Sequence, residues 1–211
     1  MKKSITIVAA FVLFYFIPLL AKPELIINYK IVILMIGCAV LFYTQPALSI
    51  KEAEEMKRTD KNSIFAILIA TGLAQIAAVI DWGYFQTQAP NDIITAIGLM
   101  MLIGGSAFRI WAIRILGRFF TATVQIQDGQ HIIQRGPYRI VRHPSYLGAY
   151  IAIIGSTVFL GSIIGFMVAV IGMGIAYKLR IDTEEETLAG AFGQEYREYQ
   201  SRTARIIPCI W

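Results

Sequence analysis

The sequence predicts an all-α integral membrane protein with about six transmembrane helices. Three observations predict it: the composition, the length of the apolar runs, and the one-sided placement of Lys and Arg. Hydrophobic residues make up 56% of the 211 and charged residues only 16%. With a mean hydropathy of +0.61, the chain is too apolar for a soluble domain, which carries more charge and shorter apolar runs. Apolar runs fall at residues 5–20, 25–43, 64–80, 93–113, 146–160 and 163–179. Each approaches the ~20 helical residues that cross a bilayer core. All are read as helices, because backbone exposed to lipid must satisfy its own hydrogen bonds.

The first run follows Met1-Lys2-Lys3. It lacks a small-residue cleavage site before the second run begins, so it reads as a spanning helix and not as a signal peptide. The first three runs carry no recognisable motif. The fifth and sixth are short and are separated by Gly161-Ser162. One continuous helix of their joint length, at ~1.5 Å per residue, would far overshoot a ~30 Å core, so the pair reads as a tight helical hairpin. Gly155, Gly165, Gly172 and Gly174 are expected to let those two helices pack closely.

With six spans, one side receives Lys2, Lys3, Lys51, Lys57, Arg58 and Lys61, then Arg114, Arg118, Arg135, Arg139 and Arg142, and finally Lys178, Arg180, Arg197, Arg202 and Arg205. The other side receives Lys22, Lys30 and acids such as Asp81. The positive-inside rule then places both termini in the cytoplasm, in an inner membrane or an endoplasmic reticulum depending on the host. The formal charge of +5 fits anionic lipid head groups and calls for no nucleic acid. Cys38 lies in an apolar run and Cys209 near the C-terminus, which makes neither a disulfide framework nor a Cys-based metal site. Few ionisable residues fall inside spans: Lys30 and Arg109 are near helix ends or interior, and no proton-relay string argues for a transporter.

Two segments exceed what a generic membrane protein needs. The first is the loop 117–145. It holds the turn Asp128-Gly129, an alternating stretch over 121–126 read as a short extended piece, and a second turn at Gly136-Pro137. From Gly136 it runs through Pro137-Tyr138-Arg139 to Arg142-His143-Pro144-Ser145-Tyr146, two arginines and two tyrosines punctuated by proline at a membrane boundary. Arg and Tyr anchors are common there, but they do not need Gly-Pro and His-Pro as well. The second segment is the exit helix from Tyr177, where Arg180 and Glu184 stand four apart on one face. A plain i,i+4 ion pair on a solvated helix is the alternative reading of those two.

Taken together, Arg142-His143-Pro144-Ser145-Tyr146, the apolar hairpin, Arg180-x-x-x-Glu184-Glu185, then Phe192-Gly193-x-Glu195-Tyr196-x-x-Tyr199 and Arg202-Thr203 resemble the isoprenylcysteine carboxyl methyltransferase family. That family sits among the membrane phospholipid methyltransferases. The resemblance covers about residues 118–211 and implies two parts: N-terminal helices over 1–116, and a methyltransferase core over 117–211 with a cytoplasmic cofactor-binding loop, the hairpin and a C-terminal helix. It implies S-adenosyl-L-methionine as cofactor, held by Gln125, by Gln130, His131, Ile132 and Ile133, by Tyr138, and by His143, Pro144, Ser145 and Tyr146. Relatives place a His seven or eight residues before the tyrosine of Gly-Pro-Tyr. Gln130 and His131 occupy those two positions here, and both are candidates. The resemblance further makes Arg180 the residue for the acceptor carboxylate and Glu184 a cofactor contact, the two catalytic candidates. The implied partner is a lipidic methyl acceptor, prenylcysteine-like or otherwise membrane-soluble, reached from the bilayer; no metal is implied.

The residue chemistry agrees. Methyl transfer from a sulfonium is an in-line displacement that demands positioning and water exclusion. A carboxylate acceptor is already ionised at neutral pH and needs no general base. The sequence accordingly carries no Ser-His-Asp set and no metal cluster. The planar fork of Arg180 suits a carboxylate; Glu184 suits an ammonium or ribose hydroxyls; Tyr138 and Tyr146 can flank an adenine or face a sulfonium. His143 either bonds the cofactor's carboxylate or caps the fifth helix. Transfer to a phospholipid amine or a thiol is the alternative chemistry, and it would want a deprotonating group. A membrane binding or transport protein is the non-enzymatic alternative. A sterol-reductase-like oxidoreductase is a further relative, although no Gly-x-Gly-x-x-Gly fingerprint is present.

Overall fold

A computed structural model describes residues 2–46, 58–86 and 90–208. Lys51, Lys57, Ala89, Cys209 and Trp211 lie outside the described residues. Among the described residues six α-helices follow in order: α1 (Lys2–Phe11), α2 (Tyr29–Tyr43), α3 (Arg58–Ile80), α4 (Asp92–Leu116), α5 (Pro144–Phe159) and α6 (Ile163–Arg202). α1 and α3 each run on through a wide π turn, at Val12–Phe16 and Asp81–Phe85. The segments Asn62–Phe85, Asp92–Phe119 and Ile163–Arg202 are long and apolar enough to cross a membrane; Lys3–Phe16, Tyr29–Tyr43 and Pro144–Phe159 are shorter apolar helices. The six apolar runs of the sequence thus each become a helix.

Local chemistry sets the helix starts. Asn28 accepts from the Lys30 amide at 3.0 Å, Asn91 from Ile93 at 2.8 Å, and Ser162 from Gly165 at 2.9 Å, each side chain satisfying an amide with no partner inside its own helix. Pro144 opens α5, where its missing N–H is harmless. Gly161, at φ +70°, lets Leu160 turn straight into Ser162, so α5 and α6 do form a tight hairpin.

The glycines do different work from that expected. They do not draw α5 onto α6. A Cβ on Gly155 would meet the Leu102 amide of α4 at 2.6 Å, one on Gly148 the Arg109 amide of α4 at 2.6 Å, and one on Gly105 the Ala152 amide of α5 at 2.6 Å. Gly155 therefore belongs to an α4–α5 seam of backbone-to-backbone contact, possible only where side chains vanish. Gly165 and Gly172 bring α6 onto Ala78 and Ala70 of α3, and only Gly174 faces α5, at the Tyr150 hydroxyl. The bundle is built from two intimate pairs, α4–α5 and α3–α6, with α1 and α2 packed over a core of Phe14, Tyr15, Leu19, Ile31, Leu34 and Val79.

α6 is 40 residues long. It breaks at Gly193, where φ is +55°; at ~1.5 Å per residue the stretch before that break reaches ~45 Å, well beyond the ~30 Å hydrocarbon core. Its second half carries Arg180, Glu184 and Glu185 out of the apolar layer. After Arg202 the chain turns back and lies beside the Arg142–His143 turn. The Arg142 amide donates to Ala204 O at 2.8 Å, His143 to Arg205 O at 3.1 Å, and the Ala204 amide to Ile140 O at 3.0 Å. This isolated bridge is the only extended pairing among the described residues; the stretch 121–126 forms no strand.

Candidate active site

The loop between α4 and α5 folds against the exit half of α6. Asp128-Gly129 makes the expected turn, with Gly129 at φ +69° and the Gln130 amide bonded to Gln127 O at 2.9 Å. Gly136–Arg139 forms a single 3₁₀ turn that buries Tyr138. Between loop and helix lies a cleft of about 880 Å³, partly open to solvent. Its walls include Gln125, Gln130, His131, Ile132, Ile133, Tyr138, His143, Ser145, Tyr146, Arg180 and Glu184. Of the residues the sequence singled out, Pro144 alone is not on that wall; it sits behind, at the start of α5. Gln130 spends its amide oxygen on the Gln127 N–H at 2.8 Å, while the His131 ring stands edge-on to Phe119 with centroids 5.3 Å apart.

Arg180 and Glu184 do not form a direct i,i+4 pair. Tyr146 joins them: Arg180 Nε donates to the Tyr146 oxygen at 3.2 Å, and the Tyr146 hydroxyl donates to Glu184 Oε2 at 2.7 Å. The rest of the Arg180 guanidinium is engaged as well. Nη1 pairs with the buried Asp60 carboxylate of α3 and donates to Ser63 Oγ at 3.3 Å, and Nη2 donates to Ala122 O at 2.9 Å. Asp60 in turn takes the Val124 amide at 2.9 Å, so one carboxylate fixes both the arginine and the cleft loop. The sequence carries no signal for Asp60, whose partner is 120 residues away.

Glu185 is the second residue that sequence reasoning left without a role. It is buried and accepts from Arg142 Nε at 2.7 Å, Arg205 Nε at 2.9 Å and Gln200 Nε2 at 3.2 Å, and His143 Nε2 lies 3.2 Å away. Burial alone would raise its pKa, but the hydrogen bonds from His143 and Arg142 outweigh that and hold it at about 2. His143 heads α5 without a side-chain cap bond. Its ring stacks on Tyr146 with centroids 5.8 Å apart, and Nδ1 stands 3.8 Å from Glu184.

A second cavity, open on one side and with mostly apolar walls, lies between α1, α2, α3 and α5 and reaches α4 and α6. Phe120, Thr121, Tyr146 and Arg180 line both it and the polar cleft. Arg109 of α4 also faces this chamber, 2% exposed. It donates Nη1 to Ser145 O at 3.0 Å and Nε to Thr44 Oγ1 at 3.3 Å, and its guanidinium lies over the Phe120 ring at 5.7 Å. Among the described residues it has no carboxylate partner, and its Nη2 donates to none of them. A guanidinium left uncompensated inside an apolar layer is costly and signals a use. The charge was visible in the sequence; its position over the chamber was not. Among the described residues no group of His, Cys, Asp and Glu could hold a metal ion.

Such an arrangement defines a class: a helical membrane enzyme whose polar cleft opens onto an apolar chamber, with cationic side chains where the two meet. Comparison with known proteins narrows it. Residues 96–190 match the isoprenylcysteine carboxyl methyltransferase (ICMT) family. The chain is 32% identical over 152 residues to protein-S-isoprenylcysteine O-methyltransferase B of Arabidopsis thaliana, covering 71% of this chain and 75% of that one. It is 33% identical over 119 residues to protein-S-isoprenylcysteine O-methyltransferase of Rattus norvegicus, covering 56% of this chain and 42% of the rat protein. In fold it superposes on the eukaryotic intramembrane Ras methyltransferase ICMT with a TM-score of 0.68 at 24% identity, over 99% of this chain and 75% of the other. The chain belongs to the isoprenylcysteine carboxyl methyltransferase family and is an integral membrane carboxyl O-methyltransferase.

Proposed function

We propose that the chain transfers a methyl group from S-adenosyl-L-methionine to the carboxylate of an S-isoprenylcysteine or a similar lipidic acid, at the cytoplasmic face of the membrane. The observation that carries this reading is the shared wall: Phe120, Thr121, Tyr146 and Arg180 each face a polar cleft on one side and an apolar chamber on the other. A polar methyl donor and a lipid acceptor can meet only at such a junction.

The cleft suits the donor. Thr123 Oγ1 and Tyr196 OH are buried on its wall without a hydrogen-bond partner, and buried polar atoms left unpaired call for a ligand. Burial, with Glu185 and Glu184 nearby, raises the Tyr196 pKa, so its hydroxyl stays a donor. Glu184, partly exposed and already accepting from Tyr146, offers its second oxygen to an ammonium or to ribose hydroxyls. Gln125, Gln130, His131, Ile132, Ile133 and Tyr138 enclose the remainder; His143, Ser145 and Tyr146 form the inner wall, with Pro144 fixing their turn. When bound, the donor supplies an electrophilic methyl on a sulfonium.

The chain's own residues place the acceptor. Arg109, with Nη2 uncommitted, meets the acceptor carboxylate's charge from the chamber side. Arg180, neutralised by Asp60, orients Tyr146 and contributes its remaining N–H. The attacking oxygen is ionised beforehand, so no residue accepts a proton in the step; one C–O bond forms as one C–S bond breaks. A thiol or ammonium acceptor would need a base, and the nearby carboxylates are already engaged, Glu185 fully so.

The test is transfer from radiolabelled S-adenosylmethionine to N-acetyl-S-farnesylcysteine, beside a farnesyl thiol and a phosphatidylethanolamine. Base-labile label in the first alone is expected. Label only in the thiol or the phospholipid would overturn the carboxylate assignment.

A further inference from the structure

The last turn of α4 carries an exposed basic rim that methyl transfer does not use. Trp111, Arg114 and Ile115 stand three and four residues apart, so they share one face of the helix. The turn Gly136–Arg139 lies against that face. A Cβ on Gly136 would collide with the Ile115 side chain and stand 3.6 Å from the Trp111 ring. Arg135 Nη2 donates to Ile115 O at 3.5 Å, and Tyr138, reaching inward, donates its hydroxyl to Ala112 O at 3.4 Å. Arg135 and Arg139 are thereby set beside the turn that carries Arg114, and all three arginines are exposed. Among the described residues none of the three is ion-paired, and the Arg135–Ile115 bond is the only side-chain hydrogen bond they make. By contrast, Arg142 and Arg205 share Glu185, Arg180 holds Asp60 and Lys178 holds Asp182. Apolar surface adjoins the rim. Trp111 is 49% and Ile140 61% exposed, and Ile103 and Met100 continue the outward face back along α4. At ~1.5 Å per residue Trp111 lies about 4.5 Å further into the apolar layer than Arg114.

From this geometry we infer that Trp111, Arg114, Arg135 and Arg139 form a binding site for an anionic phospholipid of the leaflet on the cleft side. Guanidiniums on two adjoining elements present planar N–H forks, the geometry that grips phosphate oxygens. Trp111 stands at the depth where an interfacial ring meets the glycerol backbone. The outward face through Ile103 and Met100 takes an acyl chain. Charge alone would attract any anion. The strip decides between them: it is cationic at the helix end and apolar along the rest, and a lipid matches both parts at once. A soluble phosphate or an acidic peptide matches only the first. The site reaches the polar cleft in one step, because the turn that carries Arg139 also buries Tyr138 on the cleft wall.

The experiment uses the full chain carrying Trp82→Phe and Trp211→Phe, which leaves Trp111 as its sole tryptophan. It is placed in phosphatidylcholine nanodiscs in which a minority lipid is brominated in its acyl chains, so that only lipid in contact quenches the indole. Each surface arginine draws anionic lipid by about fivefold, and salt screens part of that. Brominated phosphatidylglycerol should therefore quench Trp111 as strongly as about a tenfold larger share of brominated phosphatidylcholine. Arg114→Gln, Arg135→Gln and Arg139→Gln together should bring the two lipids level. Quenching by phosphatidylcholine should stay as in the parent, a sign that Trp111 keeps its place and depth. Equal quenching by the two lipids in the parent, or an undiminished preference in the triple variant, overturns the site. A preference erased by inorganic phosphate at constant ionic strength would assign the arginines to a soluble anion. A triple variant that keeps the lipid preference and loses kcat/KM only toward acceptors borne on acidic peptides would assign them to the acceptor's polypeptide. Either result overturns the lipid site.

Discussion

Arg180 is held from four sides, and that decides how its substitution should behave. Arg180→Lys keeps a charge that can still pair with Asp60 but loses the fork that also reaches Ser63, Ala122 and Tyr146. Acceptor kinetics should suffer while cofactor affinity changes little. Glu184→Gln should do the reverse: a hydrogen bond to a charged group is worth about 1.5–3 kcal/mol, a tenfold to hundredfold change in dissociation constant. Calorimetric titration with S-adenosylhomocysteine beside steady-state turnover separates the two; near-normal values in both variants would remove the assignment. Asp60→Asn should be harsher than either conservative change. One amide oxygen cannot serve both Arg180 and the Val124 amide, and breaking a buried pair from one side costs about 3–5 kcal/mol. A lower melting temperature together with reduced turnover is the expected result. At this scale the sequence was most informative where partners are neighbours along one motif. Tyr146, Arg180 and Glu184 were legible as a group, and of the residues singled out all but Pro144 fall on the cleft wall. Asp60 was not, because nothing local distinguishes an acid that pairs across three helices from one in an ordinary helix start.

At the scale of elements, the exit half of α6 is fastened by Glu185 to the Arg142–His143 turn and to the returning tail. The sign of its pH dependence follows from its depressed pKa. The stabilisation is fully present above the ordinary carboxylate range near 4.5 and is lost as pH falls toward about 2. Glu185→Gln should therefore lower the melting temperature in detergent at neutral pH, and the gap to wild type should narrow as pH falls below about 4.5 and close near pH 2, where folded Glu185 protonates. A gap that persists undiminished to pH 2 would mean that Glu185 does not act through its charge. The α4–α5 seam gives a second test. Gly148→Leu must push Arg109 and its helix outward, and overpacking costs about 1–3 kcal/mol or more. The same change at Gly104, where a Cβ meets nothing within 4 Å, should be nearly silent. The sequence located the glycines but attributed Gly155, Gly165 and Gly172 to the wrong partners; only Gly174 faces the expected helix. Periodicity tells which residues are small; it does not say which neighbour comes close, and the hairpin's short turn made the adjacent helix look like the natural one.

At the scale of the molecule, the helical state of the six apolar runs and the apolar character of their surfaces were readable because lipid permits few alternatives. Ile5, Leu20, Phe65, Ile69, Met100, Ile103 and Ile163 are all outward-facing and exposed, as a lipid-facing surface requires. The two cavities were not readable, since each is assembled from helices far apart in the chain. From the Lys and Arg distribution we propose that the C-terminal side faces the cytoplasm. Reporter fusions at positions 211 and 89, both outside the described residues, should report opposite sides, with 211 in the cytoplasm. The same side for both would change the number of crossings between them.

The return of the chain beside the Arg142–His143 turn has a consequence for biosynthesis. Ala204 and Arg205 leave the ribosome after the six described helices, yet they hold the inner wall of the polar cleft through three backbone hydrogen bonds and the Glu185 cluster. Those helices can enter the bilayer first, but the polar cleft stays unfinished until residues 204 and 205 are made. On the proposed reading, the methyl donor finds its site only once the apolar chamber is already embedded.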